Sequence, residues 1–157
     1  MNIVLVFCAK YLFIIPFIIA AIFFFRQSRA LQIKIVVFGL ACAAISYLIA
    51  LIAGQLYFDP RPFVVGHFKP LIEHDTENGF PSDHVLLVST VAAVVTVFNK
   101  KISLLLWFFS IVIAIARVYA GVHHIIDVVG SIFIAGAVTA LLHYIFSKWL
   151  IFKTSTS

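Results

Sequence analysis

Five apolar runs, separated by short polar stretches, organise this chain: residues 3–25, 35–57, 82–98, 102–119 and 125–146. Each has the length that a membrane-spanning helix needs, about 17–25 residues. The third is the shortest, so its helix has to begin at the turn Pro81-Ser82, where proline suits a first turn and Ser or Asp a cap. Pro16 lies inside the first run and predicts a kink there, because it removes a backbone donor and crowds the preceding turn. The pattern predicts an all-α integral membrane helical bundle of about five transmembrane helices, forming a single domain over residues 1–157. No internal repeat or low-complexity segment interrupts it.

Composition agrees. Hydrophobic residues make up 64% of the chain and charged residues 11%, against about half and a quarter in soluble domains. The first residues lack a basic leader and a small-residue cleavage pattern, so the first run is expected to be a retained span. Cys8 and Cys42 both fall inside apolar runs, which predicts two inert thiols and no disulfide framework.

The net charge of +5 reads as membrane topology, with no nucleic-acid partner. Arg26, Arg29, Lys34, Lys100, Lys101, Lys148 and Lys153 fall in the connections 1–2 and 3–4 and in the tail. By the positive-inside rule that face is cytoplasmic. All six acidic residues, Asp59, Glu73, Asp75, Glu77, Asp83 and Asp127, lie in or beside the opposite loops. The expected orientation has the N-terminus outside, the C-terminus cytoplasmic and the loop 58–80 facing the periplasm or exterior. Lys10, a cation in the outer half of the first run, either snorkels outward or lines a site.

Ionisable residues at membrane depth are costly and therefore functional candidates. Arg61, stiffened by Pro60 and Pro62, offers a guanidinium fork suited to two phosphate oxygens, although an interfacial arginine touching lipid phosphate would look the same. Ser82, Asp83 and His84 open the third helix, where free amides attract anions and a histidine can move a proton; an ordinary serine cap is the plain alternative. Arg117 ends the fourth run. His123 and Asp127, four apart, would share a helix face, with the carboxylate fixing one imidazole nitrogen and freeing the other to attack. His124 points elsewhere on such a helix. His67 and His74, with Glu73, Asp75 and Glu77, lack any zinc spacing, which favours a solvated acidic loop over a metal site. His143 reads as structural.

Taken together, Arg61-Pro62, Pro81-Ser82-Asp83-His84 and Arg117-x5-His123-x3-Asp127 resemble the three-part signature of the type 2 phosphatidic acid phosphatase superfamily. The resemblance covers about residues 45–135. The longer runs YFDPRPFV, LIEHD and GFPSDH are similar to bacterial undecaprenyl-diphosphatases of the bacitracin-resistance type. Three positions depart from the wider superfamily: Gly54 stands for a lysine, Asp83 for a glycine and Ala116 for a serine. The first two are features of the bacitracin-resistance subgroup; the third removes one hydroxyl contact to phosphate. Most members have six spans, so five imply a minimal version.

The resemblance implies a metal-free, cofactor-free lipid phosphatase of a bacterial plasma membrane. His123 would be the nucleophile, Asp127 its orienting group and His84 the proton donor and acceptor. Arg61, Arg117, Ser82 and Asp83 fall at phosphate-binding positions of the motif. The implied partner is a polyprenyl diphosphate, hydrolysed at the outer face to recycle the cell-wall lipid carrier. Rival readings are a phosphatase for phosphatidylglycerol phosphate, phosphatidic acid or lipid A 1-phosphate, or a non-enzymatic small membrane protein. The oligomeric state is left open.

Overall fold

A computed structural model describes residues 2–148, so the tail with Lys153 lies outside the described residues. Seven helices and no strand occur among them: α1 (Asn2–Lys10), α2 (Ile14–Phe25), α3 (Arg29–Leu56), α4 (Pro62–Val65), α5 (Asp83–Phe98), α6 (Lys100–Tyr119) and α7 (Ile125–Lys148). Three of them, α3, α6 and α7, are long and apolar enough to cross a membrane. A fourth crossing results if α1 and α2 count as one bent span, and α5 is a shorter apolar helix. At 16 residues α5 is about 24 Å long, less than the roughly 30 Å of bilayer hydrocarbon.

The first apolar run is bent, as Pro16 predicts, but the bend is a full break between two helices and lies ahead of the proline. α1 and α2 meet at 47° across Tyr11–Phe13, and the bend falls before Pro16. Proline cannot donate to the carbonyl four residues earlier and its ring crowds that carbonyl, which here belongs to Leu12. The chain therefore tightens: Ile14 N donates to Tyr11 O and Ile15 N to Leu12 O, each at 3.1 Å. Helix α3 starts six residues earlier than its apolar run, because Ser28 caps it by accepting from Leu31 N. A single residue, Asn99, joins α5 to α6; its side chain accepts from Ile102 N at 3.0 Å, so the two helices turn back tightly on each other.

Helix α5 is the centre of the bundle and packs most extensively on α6 and α7. Its run Val88–Val95 is rich in small residues, nearly all buried, which lets neighbouring backbones approach closely. Ser89 and Ser110 hydroxyls pair at 2.7 Å across the α5–α6 seam. Phe38 and Cys42 of α3 pack with Leu86, Val94, Ala135 and Val138 on the other side. Large apolar side chains such as Leu40, Leu104 and Phe133 are exposed, while Arg61, Arg117, His123 and Asp127 are buried. That inversion of the soluble pattern is what a bundle solvated by lipid requires. The antiparallel order brings the end of α3, the start of α5, the end of α6 and the start of α7 to one end of the bundle.

Candidate active site

Arg117 sits in the last turn of α6, followed by a turn that depends on glycine. Gly121 N donates to Val118 O at 3.0 Å and Val122 N to Arg117 O at 3.3 Å, the paired bonds of a Schellman ending. Gly121 has φ +78°, and a Cβ there would meet the Phe68 ring at 2.6 Å. This turn delivers His123 as loop backbone ahead of α7. The His123–Asp127 contact predicted from helical spacing is present, but His123 precedes the helix. Asp127 is the third residue of α7 and its Oδ2 reaches back to accept from His124 N at 2.8 Å, one half of a capping box.

The partners of His123 define its tautomer. Nδ1 faces only acceptors, Gly79 O at 3.0 Å and Asp127 Oδ2 at 3.2 Å, so it carries the proton. Nε2 faces only donors, Arg117 Nη2 at 3.3 Å and Arg61 Nη1 at 3.4 Å, so it carries the lone pair. Burial, then the charges of Arg117 and Arg61, push the His123 pKa down to about 3. The imidazole is thus neutral near pH 7, with its unprotonated nitrogen between two guanidinium groups.

Both arginines are held by carbonyls. Arg61 donates from Nη1 to Val122 O at 3.0 Å and from Nη2 to Asn78 O at 3.2 Å. Arg117 donates from Nη1 to Ala9 O at 3.2 Å, a carbonyl at the end of α1 that the helix break leaves available. Ser82 is the N-cap residue of α5, yet its hydroxyl makes no capping bond and is buried without a partner. The amides opening α5 and this hydroxyl are free to receive an anion. Ser131 Oγ reaches both Ser82 O at 2.9 Å and Asp127 O at 2.8 Å, tying the start of α5 to α7.

His84 packs edge-on against Phe13 of the helix break, ring centroids 5.5 Å apart. It lines a cavity of about 440 Å³ together with Arg117, Lys10 and His74. Asp83 does not share that cavity. Its side chain is exposed and lines a separate apolar groove of about 190 Å³ with Ser46, Tyr47 and Leu87, between α3 and α5.

Several contributors were not singled out by the sequence. Asn78 brackets the loop to α3: Oδ1 accepts from Asp59 N and Phe80 N, and Nδ2 donates to Gly54 O and Tyr57 O. Gly79 lies so close that a Cβ would meet Asp127 Oδ2 at 2.9 Å and Asp59 O at 3.0 Å. At Gly54, a Cβ would approach Phe80 O to 3.0 Å, so the loop packs closely on the end of α3. Asp59 accepts from His124 Nδ1 at 3.0 Å. Burial first, then the neighbouring Asp127 carboxylate, raises the Asp59 pKa, with His124 opposing. Asp59, His124 and Asp127 bring ligand atoms within 4.8 Å of one another, close enough to share a cation, though each is engaged with its neighbours or with His123. Glu73, Asp75 and Glu77 are exposed, as a solvated loop requires, but His74 turns inward to place its ring 5.8 Å from that of His123. The signal available was its position within LIEHD.

Residues 35–151 match the PAP2 superfamily. Undecaprenyl-diphosphatase BcrC of Bacillus subtilis (strain 168) is 33% identical over 150 residues, covering 94% of this chain and 75% of that protein. Putative undecaprenyl-diphosphatase YbjG of Escherichia coli (strain K12) is 33% identical over 115 residues, 73% of this chain and 56% of that protein. Among solved structures, Aquifex aeolicus LpxE superposes with a TM-score of 0.72 at 19% identity, over 91% of this chain and 85% of that one. A PAP2-type phosphatidylglycerolphosphate phosphatase from Bacillus subtilis superposes at 0.65 and 21%, over 97% and 79%. At these identities the structural likeness speaks to the fold.

Proposed function

The chain belongs to the PAP2 superfamily, and we propose that this multi-pass membrane phosphatase removes the terminal phosphate of undecaprenyl diphosphate through a phosphohistidine on His123. The observation that carries the reading is the split environment of His123, with Nδ1 bonded to Gly79 O and Asp127 and Nε2 held open between Arg61 and Arg117. A neutral, oriented imidazole beside two anchored guanidinium groups suits in-line attack on a phosphoryl group.

In the first step the Nε2 lone pair attacks the terminal phosphorus. The bond from that phosphorus to the bridging oxygen breaks, its electrons pass to the lipid phosphate, and His84 supplies a proton to the leaving oxygen. Asp127 offsets the charge that forms on the imidazole ring. In the second step His84 takes a proton from water, the oxygen attacks phosphorus, the P–N bond breaks and inorganic phosphate leaves. Arg61, Arg117, the Ser82 hydroxyl and the first amides of α5 hold the equatorial oxygens while charge spreads. Asp83, on the groove side of the α5 start, marks where the apolar groove between α3 and α5 receives the lipid tail.

The substrate class rests on the relatives named undecaprenyl-diphosphatase. Orientation rests on charge: Arg26, Arg29, Lys34, Lys100, Lys101 and Lys148 are at the end opposite the site, which supports a site on the periplasmic or extracellular side.

The test is phosphate release by detergent-purified protein in EDTA from a panel of undecaprenyl diphosphate, phosphatidylglycerol phosphate, phosphatidic acid and lipid A. Preference for the polyprenyl diphosphate, unchanged by the chelator, is the expected result. Preference for another lipid would reassign the substrate. Activity that returns only with a divalent ion would move attention to Asp59, His124 and Asp127.

A further inference from the structure

We propose that Lys10 and His74 form a second phosphate subsite, which holds the phosphate that stays on the lipid and selects diphosphates over phosphomonoesters. This rests on the reading of the site as a lipid diphosphate phosphatase and adds where its selectivity lies.

The first observation is a surplus of donors. Arg61, Arg117, Ser82 and the free amides of α5 suffice for the three equatorial oxygens of one transferred phosphoryl group. The cavity that holds Arg117 and His84 is nevertheless also lined by Lys10 and His74, which that phosphoryl group does not need. The leaving phosphate must lie within reach of His84, which protonates it, and His84 shares this cavity with both residues.

The second observation is an unsatisfied nitrogen. His74 Nδ1 is buried and has no hydrogen-bond partner, although its ring packs edge-on to His123 at 5.8 Å. A buried polar atom without a partner costs free energy that a bound ligand oxygen would recover. Burial and the charges of Arg61 and Arg117 lower the His74 pKa to about 4, so its imidazole is neutral near pH 7, and an anion placed beside it offsets those charges.

The third observation is how Lys10 is held. Arg117 anchors the carbonyl of Ala9, so the end of α1 is fixed against the site, and Lys10 is the next residue. Its ammonium lies 5.4 Å from the Tyr11 ring centroid, at the cavity rim. Glu73 and Asp75 share that rim and, like Lys10, are exposed, so solvent screens all three rim charges. Deeper in, the buried His74 Nδ1 and Arg117 face the cavity unscreened, and Lys10 adds its charge to theirs from the rim.

The test uses the purified full chain with farnesyl diphosphate and farnesyl monophosphate as probes. Lys10→Ala and His74→Gln are each expected to lower the ratio of diphosphate to monophosphate kcat/KM by about tenfold, equivalent to about 1.4 kcal/mol, with Lys10→Arg restoring most of it. Competitive inhibition gives a second reading that needs no monoester turnover: both variants should weaken inhibition by methylenediphosphonate more than by orthophosphate. Equal losses on both probes, or none on either, would overturn the subsite. A wild-type protein inactive on both probes would overturn the reading of the site beneath it.

Discussion

Protonation of His123 at Nε2 is opposed by burial and two guanidinium groups, while Nδ1 is committed to Gly79 O and Asp127 Oδ2. Replacing Asp127 by Asn offers a donor or a weaker acceptor to Nδ1 and loses the charge that stabilises the imidazolium. Asp127→Asn should lower kcat by about 100-fold or more with a smaller change in KM, as losses confined to the transition state do. Asp59 acts one contact further out, beside Asp127 and bonded to His124; Asp59→Asn should lower kcat by roughly tenfold in the same assay. The residues that gather at this end were legible as candidates because an arginine, a histidine or an acid at membrane depth is too costly to keep without a use. Asn78 and the place of Asp59 were not legible, and His74 was named but assigned to a solvated loop, because a polar loop residue owes nothing to hydropathy and its partner lies far along the chain: Asn78 binds Gly54, and His74 meets His123. Asp83 was read with its motif neighbours, but consecutive residues at a helix start point to different sides, and it faces the α3–α5 groove.

Helices carry these groups to one end, and their terminations matter more than their lengths. Gly121 ends α6 at a positive φ that a side chain resists, and its Cβ position is occupied by Phe68. Gly121→Ala should therefore destabilise the protein by about 1–2 kcal/mol and, because it moves His123, reduce activity beyond what lost stability accounts for; thermal melts beside kinetics at a permissive temperature separate the two. The break between α1 and α2 has a comparable role, freeing Ala9 O for Arg117 and setting Phe13 against His84. Hydropathy located the apolar runs, and Pro16 signalled a bend. It did not place the bend at Tyr11–Phe13, since the clash proline creates falls on the carbonyl four residues earlier. The short α4 after Arg61 carries no periodic signal that four residues could display.

At the scale of the whole molecule, a bundle with an apolar outer surface encloses a charged end. His123 and His74 hold their pKa values near 3 and 4, against an ordinary value of 6.5. Between pH 6.5 and about 4 the unfolded chain binds protons at these positions that the folded chain refuses. Stability is then unaffected by them above pH 6.5 and falls as pH drops below it. Melting temperature in detergent should decline through that window, and His74→Gln should flatten the decline; an unchanged slope would show that His74 titrates normally. The membrane class and the gathering of motifs at one end could be read from the distribution of apolar runs and charges. The cavity could not, because it is built from α1, the loop, α5 and α6 together. The proposed mechanism turns on covalent catalysis by His123, and rapid acid-free quenching of the enzyme with terminally radiolabelled polyprenyl diphosphate tests that step without intermediaries. The expected result is an alkali-stable, acid-labile label that maps to His123, accumulates in His84→Ala and is missing from His123→Ala. Full turnover with no label on any histidine, or a label that survives in His123→Ala, would refute covalent catalysis at this residue.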